Sequence, residues 1–267
     1  MSNGVQAKSR SLVCSFQQAP CPALRAIIKR FLVIEFPPFY RDAHLPESDA
    51  VAAFSFRGAC RINGNQWASP TAFTGPRDVL RTHEHRYSHA VVLAMFAPVG
   101  AFAFLRLPLN EFVGATVNLA ELIDRPNDVD QLSERLTSAG NHRQRVALVQ
   151  SLLLARVRAS RVDPLITAAV SWLDQGKVDT RIEDLVRYIG LSQSALERRF
   201  QRIIGVSPKK YASLIRLRRA VRLQATGVDL TTVAHVSGYF DQSHFIKEFR
   251  RAVGTAPSAF FGPNSPN

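Results

Sequence analysis

The stretch FQRIIGVSPKKY, Phe200–Tyr211, is written a second time as FRRAVGTAPSAF, Phe249–Phe260, at an offset of 49 residues. Both read aromatic, four residues, Gly, two residues, Pro, two residues, aromatic. A Gly after a periodic apolar run ends a helix, and a Pro just beyond starts the next. The same grammar extends upstream. Thr180-Arg-Ile-Glu183 is a capping-box pattern. Ile182, Leu185, Val186 and Ile189 make one apolar helix face, and Gly190 stops that helix. Ser192 caps the next, whose inner face is Leu196, Phe200, Ile203 and Ile204, with Gly205 as its end. In the second copy Leu230, Val233 and Ala234 form the short face and Gly238 the turn. Asp241 then caps a helix with Phe245, Phe249, Ala252 and Val253 inside, ended by Gly254 before Pro257.

Short helix, Gly turn, longer helix is the pattern of a helix-turn-helix unit, here present twice. Each longer helix leaves a polar stripe outside its apolar face. The first stripe is Ser194, Glu197, Arg198 and Gln201; the second is Ser243, Ile246, Lys247 and Arg250, flanked by Gln242 and His244. Arg and Lys donate to guanine, Gln pairs with adenine, Glu accepts from cytosine, and an exposed Ile suits a thymine methyl. A solvated charged face is the bland alternative for any one of these residues. Between the copies, Tyr211, Leu214, Leu217, Ala220 and Val221 predict one long connecting helix. Arg198 to Arg222 holds nine basic residues and no acidic one, a composition suited to phosphate contacts. A rigid connector of this kind spaces two reading helices by about one DNA turn, roughly 34 Å.

Working outward, the 267-residue chain has a net charge of +13 and 46% hydrophobic residues, enough for two domains with sizeable cores. The last 104 residues carry 15 basic against 8 acidic groups, so charge is denser at that end. A basic balance points to a polyanion as partner. Residues 1 to 127 read as β-rich, with short runs such as AVVLAMF and AFAFL as buried-strand candidates and Asn63-Gly64 as a hairpin turn. Between 128 and 163 the periodicity is helical, with two helices broken at Gly140-Asn141 that we take to favour a dimer contact over packing on the β domain. Pro164 opens a further helix that Gly176 ends, and from there to about 262 the chain reads as wholly helical. The fold class expected is therefore α+β in two domains: a β-rich barrel or sandwich, then an all-α domain with two helix-turn-helix motifs joined by a long helix.

Cys14, Cys21 and Cys60 are three in number and lack a metal-thiolate spacing, so a reducing compartment is the simple reading. Tyr87 to Leu105 has no Lys, Arg, Asp or Glu, but His89, Pro98 and Gly100 interrupt it. Two buried strands and a turn fit it better than a membrane span, and no membrane partner is expected. His83, His85 and His89 follow the spacing H-x-H-x3-H. On a strand His83 and His85 share a face and reach one metal together. A polar strand end explains the same pattern, no acidic partner can be assigned, and neither metal nor cofactor is expected.

IEDLVRYIGLSQSALERRFQRIIGVSPKKY, then RLRRAVRLQ, then LTTVAHVSGYFDQSHFIKEFRRAVGTAPSAF together resemble the DNA-binding domain of the AraC/XylS family of bacterial transcriptional regulators. The resemblance covers about 100 residues, with both motifs in order. It implies a seven-helix, two-headed reader of double-stranded promoter DNA. By position it implies base reading by Ser194, Glu197 and Arg198 in the first head and by Gln242, Ser243, His244 and Lys247 in the second. Ser192, Arg202 and Lys209 become the phosphate contacts. It further implies a cupin-like N-terminal domain that senses a small-molecule effector or dimerises, at residues the sequence does not name. RNA polymerase is a partner if the protein activates, and the bacterial cytoplasm or nucleoid is its place. MFAPVGAFAFLRLPLNEF also resembles a strand-then-helix segment of some members. One departure is the ending Ala259-Phe260-Phe261, where the family often has Tyr-Arg.

Two other classes compete. A metal-dependent cupin-type enzyme fused to a DNA-binding domain needs a convincing metal quartet or nucleophile motif, and the sequence offers neither. A nonspecific nucleoid protein would bind with little sequence preference, which two differently dressed reading helices argue against.

Overall fold

The computed structural model describes residues 14–64, 66–157, 162–175 and 181–261. The Thr180 of the capping box and Gly176 lie outside the described residues. Ten strands occur among these residues, in chain order β1 (Cys14–Gln18), β2 (Ile28–Phe36), β3 (Tyr40–His44), β4 (Val51–Arg57), β5 (Arg61–Ile62), β6 (Gln66–Trp67), β7 (Thr71–Thr74), β8 (Arg81–His85), β9 (His89–Phe96) and β10 (Thr116–Asn118). All ladders are antiparallel. One sheet has the order β1-β2-β9-β4-β7-β10 and the other β3-β8-β5-β6. Both sheets keep free edges, so the β-rich region is two open sheets rather than a closed cylinder.

Strand β4 alternates between half-buried and buried positions, as one inward face requires. Central β9 is buried almost throughout, because helices cover its other face. Those helices are α1 (Gly100–Leu105), α2 (Pro126–Ser138) and α3 (His142–Val157). Phe31, Phe54, Phe73 and Phe96 fill the core, with Phe73 edge-to-face against both Phe96 and Phe112. Such aromatic pairs add about 0.5–1.5 kcal/mol beyond area burial.

Two sequence expectations change here. AFAFL is not a strand: residues 101–105 lie in α1, in line with the strand-then-helix resemblance. A short apolar run does not declare its period, and Gly100 decides the matter. A Cβ there would sit 2.0 Å from the carbonyl oxygen of Ile27, so only Gly lets the helix start against β2. The stripes of α2 and α3 are the second change. Val129, Leu132, Leu136, Val146, Val149 and Leu153 are buried in the same core as the β-sheet phenylalanines. The apolar faces carrying these residues pack on the β region within the chain, the alternative the sequence favoured less for them.

Seven helices follow among the described residues: α4 (Pro164–Gln175), α5 (Ile182–Ile189), α6 (Gln193–Ile204), α7 (Pro208–Gln224), α8 (Leu230–Ser237), α9 (Gln242–Val253) and α10 (Pro257–Phe261). They build two separate cores. The first gathers Ile166, Leu173, Leu185, Leu196, Phe200 and Tyr211. The second gathers Leu217, Val221, Val233, Phe245, Phe249 and Val253. Helix α7 gives its first turns to one and its last turns to the other.

The β region is docked on both heads. Val99 belongs to the first core, and Leu45 and Leu80 pack on the second. Leu80 N–H donates to Ala252 carbonyl at 2.8 Å. Polar groups close the joint: Glu47 lies 3.2 Å from Arg218 and 3.8 Å from Arg77, and Asp78 lies 3.4 Å from Lys210. No helix among the described residues is long and apolar enough to cross a membrane.

Candidate nucleic-acid interface

In the first head, α5 stops at Gly190, which adopts φ +72°. A left-handed residue at this point favours Gly and turns the chain sharply into the next helix. Ser192 Oγ then accepts from Ala195 N–H at 3.3 Å and caps α6. Phe200 anchors α6, edge-to-face with Tyr211 at 5.6 Å, and the Tyr211 hydroxyl donates to Asp174 at 3.1 Å. Burial, and then the neighbouring Asp174 and Asp49 charges, push the Tyr211 hydroxyl well above its usual pKa, so it stays a donor.

The outward face of α6 carries Ser194, Arg198 and Gln201 exposed and Glu197 half-buried. Gln193 donates to Glu197 Oε1 at 3.1 Å. Arg198 enters none of the ion pairs among the described residues. Arg202 is also exposed, but its guanidinium lies over the Phe102 ring of α1 at 5.8 Å. Ser192 is occupied by its cap.

In the second head, Asp229 caps α8 by accepting from the Thr231 and Thr232 amides. Gly238 turns the chain at φ +90°, and Asp241 accepts from His244 N–H at 2.7 Å to cap α9. Phe245 and Phe249 anchor the helix, their rings 5.7 Å apart. Phe260 and Phe261, the departure from the family ending, close on Phe249 at 5.5 and 5.7 Å. That departure therefore gives the second core apolar contacts.

On α9, Ser243, Lys247 and Arg250 are exposed, and Gln242 and His244 are half-buried. Gln242 Oε1 accepts from Thr231 Oγ1 at 3.0 Å and ties α9 to α8. His244 Nδ1 accepts from Phe240 N–H at 3.4 Å, with its other nitrogen 3.8 Å from Glu248. Ile246, expected exposed, is half-buried.

The basic run divides in two. Arg199 is paired with Asp163 at 2.6 Å, Lys210 with Asp78, Arg216 with Glu248 at 3.9 Å and Arg218 with Glu47. Arg198 and Lys209 enter none of these pairs and stay exposed to meet an incoming anion. A sequence run cannot show this division, because all the acidic partners lie outside it.

The three histidines separate as well. His83 Nδ1 lies 3.2 Å from Asp42, which His44 also approaches at 3.1 Å. Burial pushes the Asp42 carboxyl up, but hydrogen bonds and charge from His44 and His83 outweigh it and hold it below its usual range. His85 sends its Nδ1 to His89 Nδ1 at 3.0 Å, with Cys60 beside them. The shared strand face does bring His83 and His85 to one carboxylate oxygen, Asp42 Oδ1, at 3.2 and 4.0 Å, and His89 lies on the far side of His85 from it.

The profile of the helix-turn-helix domain family matches residues 185–262. A transcriptional activator RhaS from Pectobacterium carotovorum is 30% identical over 96 residues, covering 35% of this chain and 34% of its own length. A putative AraC-like transcription regulator from Streptomyces lividans is 28% identical over 104 residues, 38% of this chain and 34% of its own. A RhaS from an Enterobacter strain is 27% identical over 258 residues, 87% of this chain and 90% of its own. The match to the first of these spans about a third of that relative's length.

Proposed function

We propose that the C-terminal region, of which residues 185–262 match the helix-turn-helix domain family, is an AraC-type double helix-turn-helix domain, and that the protein is a sequence-specific, DNA-binding transcriptional regulator. One observation carries the reading. Helices α6 and α9 stand on matching scaffolds, capped by Ser192 and Asp241 and stopped by Gly205 and Gly254, yet expose unlike side chains. Equal scaffolds with unequal faces suit two adjacent but different half-sites.

In this reading Ser194, Glu197 and Arg198 meet base edges in one major groove and Gln242, Ser243, His244 and Lys247 those in the next. Ser192, Arg202 and Lys209 contact phosphates. Arg202 joins them by leaving the Phe102 ring, so DNA binding and the α1 contact compete for one guanidinium. The β region carries the regulatory role, through a small-molecule effector, and RNA polymerase is the partner if the outcome is activation.

Selection of bound duplexes from a randomised library tests the proposal. The expected product is a bipartite motif with two dissimilar halves about one helical turn apart. Recovery of a library without sequence enrichment would overturn it in favour of nonspecific binding.

A further inference from the structure

We propose that Cys60, His85 and His89 form a binding site for one tetrahedral transition-metal ion, with Zn2+ as the natural occupant. The site lies in the β region and is separate from the DNA-reading helices.

The fold brings the three together from distant sequence positions. His85 ends β8 in one sheet and His89 begins β9 in the other, so the turn of residues 86–88 carries the chain between sheets. Arg61 pairs with Glu84 and Ile62 with His83, which sets Cys60, one residue earlier, beside His85. Gly58 makes this approach possible. It adopts φ +64°, and a Cβ there would lie 2.3 Å from the Ser88 carbonyl oxygen. Any side chain would push the Cys60 segment off the turn.

The donor set and its spacing suit a metal. One nitrogen from each His and the Cys60 sulfur all lie within 4.8 Å of one another. The two Nδ1 atoms are 3.0 Å apart. Zinc–nitrogen bonds of about 2.0–2.1 Å put two tetrahedral ligands roughly 3.3 Å apart, and a sulfur–nitrogen edge near ~3.6 Å. Filling the site therefore asks the sulfur to close by at most about 1.2 Å and the two nitrogens to part by about 0.3 Å.

The outer groups are those a metal-bound imidazole needs. Ligation through Nδ1 leaves each Nε2 as an N–H donor that requires a partner. For His89 that partner is Ser55 Oγ, at 3.0 Å. For His85 it is Asp42, whose Oδ1 lies 4.0 Å away. As the protein stands, His85 Nε2 is buried without a hydrogen bond, facing the Asp42 oxygen that His83 Nδ1 already approaches at 3.2 Å. Ligation through Nδ1 fixes the proton on His85 Nε2, the side that faces Asp42. The Phe36 ring stacks on His85 at 4.0 Å and on His89 at 5.7 Å, giving a dry wall.

Burial already keeps both imidazoles neutral, His85 pushed down to about 4 and His89 to about 3, the form that ligates. The Cys60 thiol is pushed up to about 11 by burial and then by Asp42. Its proton is therefore released to solvent as the sulfur–metal bond forms. Asp42, His44 and His83 form a neighbouring group, but there each imidazole already has the carboxylate as its partner, at 3.1 and 3.2 Å.

The test uses the full chain, stripped with a chelator and titrated with Co2+. One equivalent should produce tetrahedral d–d bands and a thiolate-to-cobalt charge-transfer band, and one equivalent of Zn2+ should abolish both. Cys60→Ser should lose the charge-transfer band and weaken cobalt binding at least tenfold, while Cys21→Ser leaves both unchanged. Circular dichroism checks that each variant folds. Absence of the charge-transfer band in the wild-type chain would overturn the proposal, even if Cys60→Ser failed to fold. So would its persistence in folded Cys60→Ser, or its loss in folded Cys21→Ser.

Discussion

The two helix-turn-helix heads use the same construction and differ in what surrounds them. In the first, α6 ends at Gly205 against the β region, where a Cβ would meet Pro76 Cγ at 2.9 Å and the Leu109 carbonyl oxygen at 3.1 Å. In the second, α9 ends at Gly254, where an added Cβ meets nothing within 4 Å. The faces differ in the opposite sense. Half-buried His244 and Gln242 on α9 are bonded within their own head, whereas Ser194 and Arg198 on α6 stay exposed. Both heads are thus backed by the β region and expose basic side chains in front, but only the second ties two of its face residues to other parts of its own head, Gln242 to Thr231 on α8 and His244 to Phe240 in the turn. An internal repeat conserves punctuation and core, and tertiary context gives each copy its own constraints.

The strongest way to break the comparison is through the anchors. Phe200→Ala and Phe249→Ala each remove a fully buried ring, and each should cost about 3–5 kcal/mol in urea unfolding. A loss below about 1 kcal/mol in either would show that the heads do not share one design. Next come the reading faces. Arg198→Ala and Lys247→Ala should each relax base preference by about 1–3 kcal/mol, at separate positions of the selected motif. Relaxation at the same position would end the two-head reading.

The stops sharpen the contrast. Gly205→Ala and Gly254→Ala both force a Cβ into left-handed backbone, at φ +94° and +85°, costing about 1–2 kcal/mol. Only Gly205→Ala adds the clash with Pro76 and Leu109, so it should melt at the lower temperature. Equal melting would mean that this contact yields freely. Removing the caps by Ser192→Ala and Asp241→Ala should cost about 1 kcal/mol each in thermal unfolding. The smallest effect belongs to Lys209→Ala. It should weaken binding equally across sequences and lower the salt slope by about 1. A change in base preference would move Lys209 into the reading face.

Local signals made most of the helical domain legible. Gly190, Gly205, Gly238 and Gly254 stop helices, and Ser192 and Asp241 cap them, because these effects act within a few residues; the caps Ser207 and Asp229 obey the same rule and were missed. The β region was legible only in class. Residues 101–105 read equally well as strand or helix until Gly100 is seen against Ile27.

By itself, then, the sequence determined the repeat, the helix boundaries and the two unlike outward faces, all governed by short-range periodicity and capping. Tertiary structure decided what depends on distant partners. It paired Arg199, Lys210, Arg216 and Arg218 with carboxylates, turned the α2 and α3 stripes into the β core, set Asp42 against His83 and His85, and brought Cys60 to His85 and His89. Charge pairing and ligand clustering are properties of distance in space, and spacing along the chain does not report them once the backbone has turned.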